Sequence, residues 1–540
     1  MFYKLYGFLF IFFIHSSLNA ITLSGTVQYE RVQSKTIGSS SVLDFSNLKR
    51  EPAKNILIQA INRDEDIVSS TYSNQNGEYS FNLEANTFIK IRAYAKMLKT
   101  DVWDVKVIDN SNGNATYAIE GDLVYTGSYN SKRDLLATAS SRNAPPFAIL
   151  GSIYLAMNKF YTIDKELSLP QLNINWSVNN ISTSSYYDGT NNIILQGDQK
   201  GDSDEYDSHI IIHEWGHFFE NKLSRADNIG GAHGLAEHVD IRVAFGEGFG
   251  NALSAIITDN PLYFDTFGNN GWNMNIETSL HETQGWFSEA SVQRILYDLY
   301  DKHKDKADNL SLGLKPLYQV LIGKQKDTPA FTSLFSFIHA LKRENPDKSD
   351  KIDAIVSSEG IATIEDDYGT DRISNIEEMA LPLYHELEVN SELKKICTSN
   401  TYGEYNKLNN HKYLYFTIDE NKDYPIVVQQ NNGRESNPAF QLFKTSPFEK
   451  ISTYDNDNSS KEEASITLDS GGYLLDIYDT HFSPQSCFAI SIGEESNIST
   501  NSQESQSVGL HLPHNKLLLL FLFIIIFLTP LFFIRKELKV

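Results

Sequence analysis

Cysteine and positive charge are the two things this sequence has little of for its size. Two cysteines in 540 residues exclude a small disulfide-stapled fold and any Cys₄ zinc module, and leave room for one bridge. Lys and Arg number 46 against 69 Asp and Glu, a formal charge of −23. That surplus repels phosphate backbones and argues against nucleic acid as a partner. No internal repeat is visible. What is present is ordinary globular material: 41% hydrophobic and 21% charged residues rule out global disorder. The length suggests roughly three or four folding units.

Both ends carry apolar segments. Residues 1–20, MFYKLYGFLFIFFIHSSLNA, place Lys4 before an apolar run from Leu5 to Ile14 and small residues leading to Ala20. This is the pattern of a secretory signal peptide cleaved near Ala20, although Leu18 is larger than cleavage sites prefer. At the other end, Leu517 to Ile534 is an uncharged stretch long enough to span a bilayer, with Pro530 near its end and Arg535, Lys536 and Lys539 after it. The basic cluster stays on the cytoplasmic side. The expectation is export, with a transmembrane helix over 517–534 and the bulk of the chain outside. A second reading is a secreted or cell-surface product, because the tail resembles bacterial C-terminal sorting signals that are removed after export. The glycine pair of such tails is missing, and only Gly509 is near. Residues 494–515, rich in Ser, Asn, Gln and Glu, read as a flexible linker.

Between these ends three blocks follow. Residues 21–100 alternate apolar and polar positions in short runs, with Asn76-Gly77 as a hairpin signal. The order Ser-Gly-Thr-Val, Asn-Gly-Glu-Tyr-Ser-Phe and Ile-Lys-Ile-Arg-Ala resembles transthyretin-like or carboxypeptidase-regulatory β-sandwich modules, which implies an accessory role without chemistry. Residues 101–380 turn helical after Pro145-Pro146, where Phe147, Leu150, Tyr154, Met157 and Tyr161 recur at helical spacing. Residues 384–493 return to strands and resemble a pre-peptidase C-terminal β-sandwich, above all in Gly-Gly-Tyr-Leu-Leu-Asp-Ile. Cys397 and Cys487 lie near the two ends of that block and can pair in an oxidising compartment. Two unrelated buried thiols are the alternative.

The chemistry concentrates in HIIIHEWGHFFENKL, which contains His213-Glu214-Trp215-Gly216-His217. Four residues advance an α-helix by about 400°, so the two imidazoles share one face and can bind one zinc ion. Glu214 lies beside that face, within reach of a metal-bound water. Standing alone, the pair is also compatible with structural histidines. A catalytic zinc needs a third protein ligand and an open position, and AFGEGFGNALSAIITD supplies Glu247 on a following helix. The layout resembles the gluzincin metallopeptidases, closest to the thermolysin and fungalysin groups, the latter for Gly-Glu-Gly. The resemblance implies that His213, His217 and Glu247 bind zinc and that Glu214 is the general base. A glutamate favoured by the helix dipole is the other reading of Glu247.

Further residues follow from the same resemblance, which covers about residues 140–365. Asn251, one turn after Glu247, takes the place of an acidic residue that orients a zinc-bound histidine. SSYYDGTNNIILQGD precedes the motif as the edge strand that pairs with substrate does, so Tyr186 and Tyr187 would line the cleft. HETQGWFSEASVQRILYDLYD resembles the helix closing the active-site lobe, and His281, Tyr297 and Tyr300 are open choices for the oxyanion stabiliser. The loop Gly201–Asp207 has carboxylates for calcium but not the EF-hand spacing, and reads rather as a solvated loop. His233 and His238 read as surface or packing residues.

The sequence therefore predicts a multidomain chain: a β-sandwich, an α+β zincin-like peptidase domain, a second β-sandwich and a C-terminal transmembrane helix. Its expected activity is that of an exported zinc endopeptidase acting on protein or peptide substrates through a Glu-activated, zinc-bound water, with Ca²⁺ as a possible second ion. The competing reading is an inactive surface adhesin or binding protein that works through its β-sandwiches. An aminopeptidase is the weaker enzymatic choice, since no Gly-x-Met-x-Asn-type segment precedes the zinc motif.

Overall fold

A computed structural model describes residues 20–38, 40–181, 184–278, 283–302, 309–369, 380–432, 436–457 and 459–493. The signal-like segment up to residue 19, the 494–515 linker and the apolar span 517–534 lie outside the described residues. Among the described residues no helix is long and apolar enough to cross a membrane. The fold is multidomain and rich in β-sheet. Two compact units interleave along the chain: Met1–Ser224 with Phe249–Ser279, and Arg225–Gly248 with Leu280–Val540.

The first unit begins with β1 (Ala20–Ile37), in which Ile21, Leu23, Gly25, Val27 and Tyr29 are buried and the residues between them only partly so. That period of two fixes which face meets the core. β1 pairs antiparallel with β2 (Ser40–Pro52) and, through Ile21↔Leu83, with β5 (Glu78–Glu84). A second sheet contains β3 (Ile56–Ile61), β4 (Ile67–Tyr72), β6 (Phe88–Lys99) and β7 (Trp103–Asp109).

The hairpin expected at Asn76-Gly77 is absent. β4 pairs with β3, whereas β5 pairs with β1, so the turn carries the chain from one sheet to the other. Asn74 shapes it by accepting from the amides of Asn76 and Glu78. Gly77 sits at φ +74° with its carbonyl accepting from Val27, and a Cβ there would stand 2.5 Å from the Val27 oxygen. Local turn chemistry made the reversal, but β1 captured the outgoing strand.

The second sheet also runs past residue 100. Val102 N–H donates to Lys99 O in the tight turn from β6 to β7. Helix α1 (Pro145–Ile163) then crosses over, and β8 (Leu172–Trp176) adds parallel to β7. β10 (Asn192–Leu195) adds parallel to β8, and β9 (Tyr186–Tyr187) pairs antiparallel with β10 at the end of the sheet. Strands from the 21–100 and 101–380 stretches thus share one sheet. α1 starts at its proline pair and buries Phe147, Leu150, Tyr154 and Met157. Phe160 is fully buried beside them, and Tyr161 is only half-buried against Trp103.

Helix α2 (Ser208–Leu223) is apolar on most sides. Trp215 and Phe219 pack with Phe160 of α1. Helix α3 (Ile241–Thr258) belongs to both units, its first half to the second and its last half to the first. It comes close to α2 because both helices carry glycine at the crossing: a Cβ on Gly216 would lie 3.4 Å from the Gly250 Cα, and one on Gly250 would lie 2.8 Å from the His213 ring. β11 (Leu262–Asp265) and β12 (Trp272–Asn275) form a hairpin after α3.

In the second unit, helix α4 (Glu289–Tyr300) is capped by the Ser288 hydroxyl. Residues 384–492 form two antiparallel-dominated sheets whose inner residues, among them Leu414, Phe440, Leu475 and Phe488, make a single apolar core. Cys397 and Cys487 face each other in register across neighbouring strands and are joined as a disulfide. A buried ionic group ties this sandwich to the start of α3. Arg242 pairs with Asp240 at 2.9 Å and Asp476 at 2.8 Å, His411 holds Asp476 at 2.8 Å, and the Tyr413 hydroxyl donates to Asp240 at 2.6 Å. Arg242 and both aspartates are each at most 4% exposed, so every charge there needs its partner.

Candidate metal centre

The packing of α2 against α3 puts His213 and His217 where their ring nitrogens meet. The two Nε2 atoms are 3.0 Å apart and the rings lie edge to face. His213 Nδ1 is 2.8 Å from the Asn251 Oδ1 on α3. Donation of Nδ1–H to Asn251 sets the tautomer and turns the lone pair of Nε2 toward His217. Glu247 sits one turn before Asn251 on the same face of the same helix. One ligand atom from each of His213, His217 and Glu247 lies within 4.8 Å of the others. Two nitrogens bound to a tetrahedral zinc at 2.0–2.1 Å stand about 3.3 Å apart, close to the spacing here.

Partners that the sequence reading passed over surround Glu247. Asn228 Nδ2 donates to its Oε1 at 2.8 Å. His233 Nε2 lies 3.4 Å from its Oε2, and His233 Nδ1 is 2.7 Å from Glu289 on α4. Burial works against protonation of His233, but the two carboxylates outweigh it and push the imidazole up to about 9. His233 is therefore no surface residue: its ring is enclosed between two glutamates. No periodicity or motif links residues 228, 233 and 289 to Glu247, so only the fold reveals them. His238 stacks between Phe287 and Tyr402, the packing role expected of it.

Glu214 Oε2 accepts from the backbone N–H of Tyr187 at 2.8 Å, which joins the carboxylate beside the histidine pair to the edge strand β9. The Tyr187 ring packs edge-on against Phe218, its hydroxyl reaches Asn221 at 3.0 Å, and burial with nearby Asp188 pushes that phenol up to about 12. Tyr186 is 47% exposed. Of the candidate oxyanion residues, Tyr297 is buried in α4 against Tyr300, and His281 lies outside the described residues.

A second group lies in the loop before α2. Asp202, Asp204 and Asp265 each bring an oxygen within 4.8 Å of the others. The loop is not the solvated one that its composition suggested: Asp204 is 2% exposed and Asp207 not at all. Burial first, then the mutual repulsion of these carboxylates, raises Asp202, Asp204 and Asp207 above the usual carboxylate range, and burial raises Asp265.

A family model described as the Mycolysin C-terminal domain matches residues 157–346, the stretch that holds α2, α3 and all four residues of the candidate centre. This part of the chain is thus similar to a peptidase-associated domain. No curated protein matches the chain. Among solved structures, the pre-peptidase C-terminal domain of collagenase from Bacillus anthracis is 15% identical, covers 20% of this chain and 93% of its own, and has a TM-score of 0.17. PliG, a periplasmic inhibitor of g-type lysozyme from Aeromonas hydrophila, is 20% identical over 20% of this chain and 96% of its own, at a TM-score of 0.14. At such scores neither bears on the architecture.

Proposed function

We propose that this chain is an exported zinc-dependent endopeptidase, with His213, His217 and Glu247 as metal ligands and Glu214 as general base. The convergence of two imidazole nitrogens and one carboxylate oxygen within 4.8 Å carries this reading. The donor set suits the ion: two histidines and a glutamate make a zinc site that keeps a position open. Bound there, zinc would supply Lewis acidity, lowering the pKa of a water and polarising the scissile carbonyl.

The chain's own residues supply the rest. Asn251 holds His213 in the tautomer whose Nε2 can ligate, and Asn228 and His233 hold Glu247. Glu214 takes a proton from the attacking water and delivers it to the departing amine nitrogen. The amide of Tyr187 orients that carboxylate and couples it to β9. An extended substrate adding to the β9 edge would run alongside Glu214, with exposed Tyr186 beside it. The joined cysteines support export to an oxidising compartment, after which the 517–534 span would anchor the product in the membrane or be removed.

The test is cleavage of unfolded casein by the purified chain. 1,10-phenanthroline should abolish it and added zinc restore it, whereas absence of cleavage in the zinc-loaded chain defeats the proposal. A smaller effect is expected at the histidine's support. Asn251→Ala should weaken zinc binding by about 10–100-fold, measured by chelator competition, while Asn251→Asp, which keeps the acceptor, retains it.

A further inference from the structure

We propose that residues 405–407 of the C-terminal sandwich position the proposed ligand Glu247, by clasping the segment that supplies its hydrogen-bonding partners Asn228 and His233. The proposal rests on the metal reading above. Asn228 and His233 reach Glu247 from residues 225–238, which form neither helix nor strand. Side chains on such a segment are placed only as well as the backbone that carries them.

Three consecutive side chains fix that backbone. They belong to the loop that joins the strand Lys394–Thr398 to the strand His411–Ile418. The Tyr405 hydroxyl donates to Ile229 O at 2.8 Å, Asn406 Nδ2 donates to Gly230 O at 2.8 Å, and Lys407 Nζ donates to Ala232 O. Lys407 Nζ also donates to Asn406 Oδ1 at 3.0 Å and pairs with Glu237 at 2.9 Å. Main-chain bonds repeat the grip at the far end: Asp240 N–H donates to Asn406 O at 2.8 Å, and Leu408 N–H to His238 O at 3.0 Å.

Asn406 is 2% exposed and engages residues 230 and 240 at once. Burying an amide and an ammonium is costly unless their bonds are made, so the loop accepts one placement of these carbonyls and not a range. The segment is shaped to fit. Gly230 and Gly231 take φ of +67° and +95°, and a Cβ on Gly231 would stand 2.8 Å from the Tyr405 ring. Asn228 Oδ1 accepts from the Gly230 N–H at 2.8 Å while its Nδ2 donates to Glu247. Direct contacts thus run from Asn406 through Gly230 and Asn228 to the carboxylate. Asn406 is a positioning residue.

The test is zinc affinity of full-chain variants by chelator competition, with the visible absorption of the Co²⁺-loaded chain as a report on ligand geometry. Asn406→Ala should bind zinc about tenfold more weakly, the lower end of the effect of an outer hydrogen-bond partner, and should alter the Co²⁺ spectrum. Ile490→Val, in the apolar core of the same sandwich, should lower the Tm and leave both readouts native. Tyr405→Phe removes one hydroxyl from a residue 46% exposed, a change the fold tolerates, and should weaken zinc binding by less. Zinc affinity unchanged in both Asn406→Ala and Tyr405→Phe, or reduced equally by Ile490→Val, overturns the clasp. A native chain that binds no zinc defeats the metal reading itself, so the two failures are distinct.

Discussion

Glu214→Gln should lower casein cleavage by about 10²–10⁴-fold, the usual contribution of a positioned proton acceptor, while leaving one zinc per chain. The substitution is close to isosteric, and its amide oxygen can still accept from Tyr187 N–H, the 2.8 Å contact that orients the carboxylate. The link between α2 and β9 therefore survives, and what disappears is the capacity to take a proton. Metal analysis beside the rate measurement separates this from a damaged site. A variant that holds zinc and cleaves at the native rate would remove Glu214 from the mechanism. One that loses both metal and activity would show that the residue supports the fold of the centre instead.

His217→Ala should cost more than any change among the supporting residues. It deletes one of the three proposed metal donors and leaves His213 Nε2 without the nitrogen now 3.0 Å from it. Zinc affinity should fall by well over the about 10–100-fold assigned to loss of an outer hydrogen-bond partner, and cleavage should drop to background. His217 is only partly buried, whereas His213 is 6% exposed and pinned to Asn251, so alanine at 217 disturbs the packing of α2 less than the same change at 213. Far-UV circular dichroism that matches the native chain, together with zinc content near zero, is the expected pair of observations. Retention of stoichiometric zinc would mean that the ion, if any, sits elsewhere.

The parts of this molecule that could be read from sequence are those governed by short-range geometry. A spacing of four residues puts two histidines on one helical face whatever surrounds them, and alternation in residues 21–37 announces a strand. Cys397 and Cys487 could be suspected as partners because each lies close to an end of one strand-rich block. The features that escaped are long-range. Nothing near Asn76-Gly77 reveals that β1 competes for the strand leaving the turn, and nothing near residue 100 says that β7 will later receive β8. His233 reads as an ordinary loop histidine until Glu247 and Glu289 arrive from two different helices. The acidic loop looked solvated because Asp265, Thr266 and Trp272, which enclose it, come some sixty residues later.

The ionic group around Arg242 has a consequence for the economy of the whole chain. Its guanidinium lies at the beginning of the helix that carries Glu247, yet one of its two aspartates is Asp476, deep in the C-terminal sandwich. Severing the polypeptide near residue 380 would not leave the buried ionic group intact. It would take Asp476, His411 and Tyr413 away from the buried Arg242–Asp240 pair at the start of the helix that carries Glu247. The last block is thus less an appendage for attachment than a cornerstone of the second unit, and a shortened product that keeps working must keep that block.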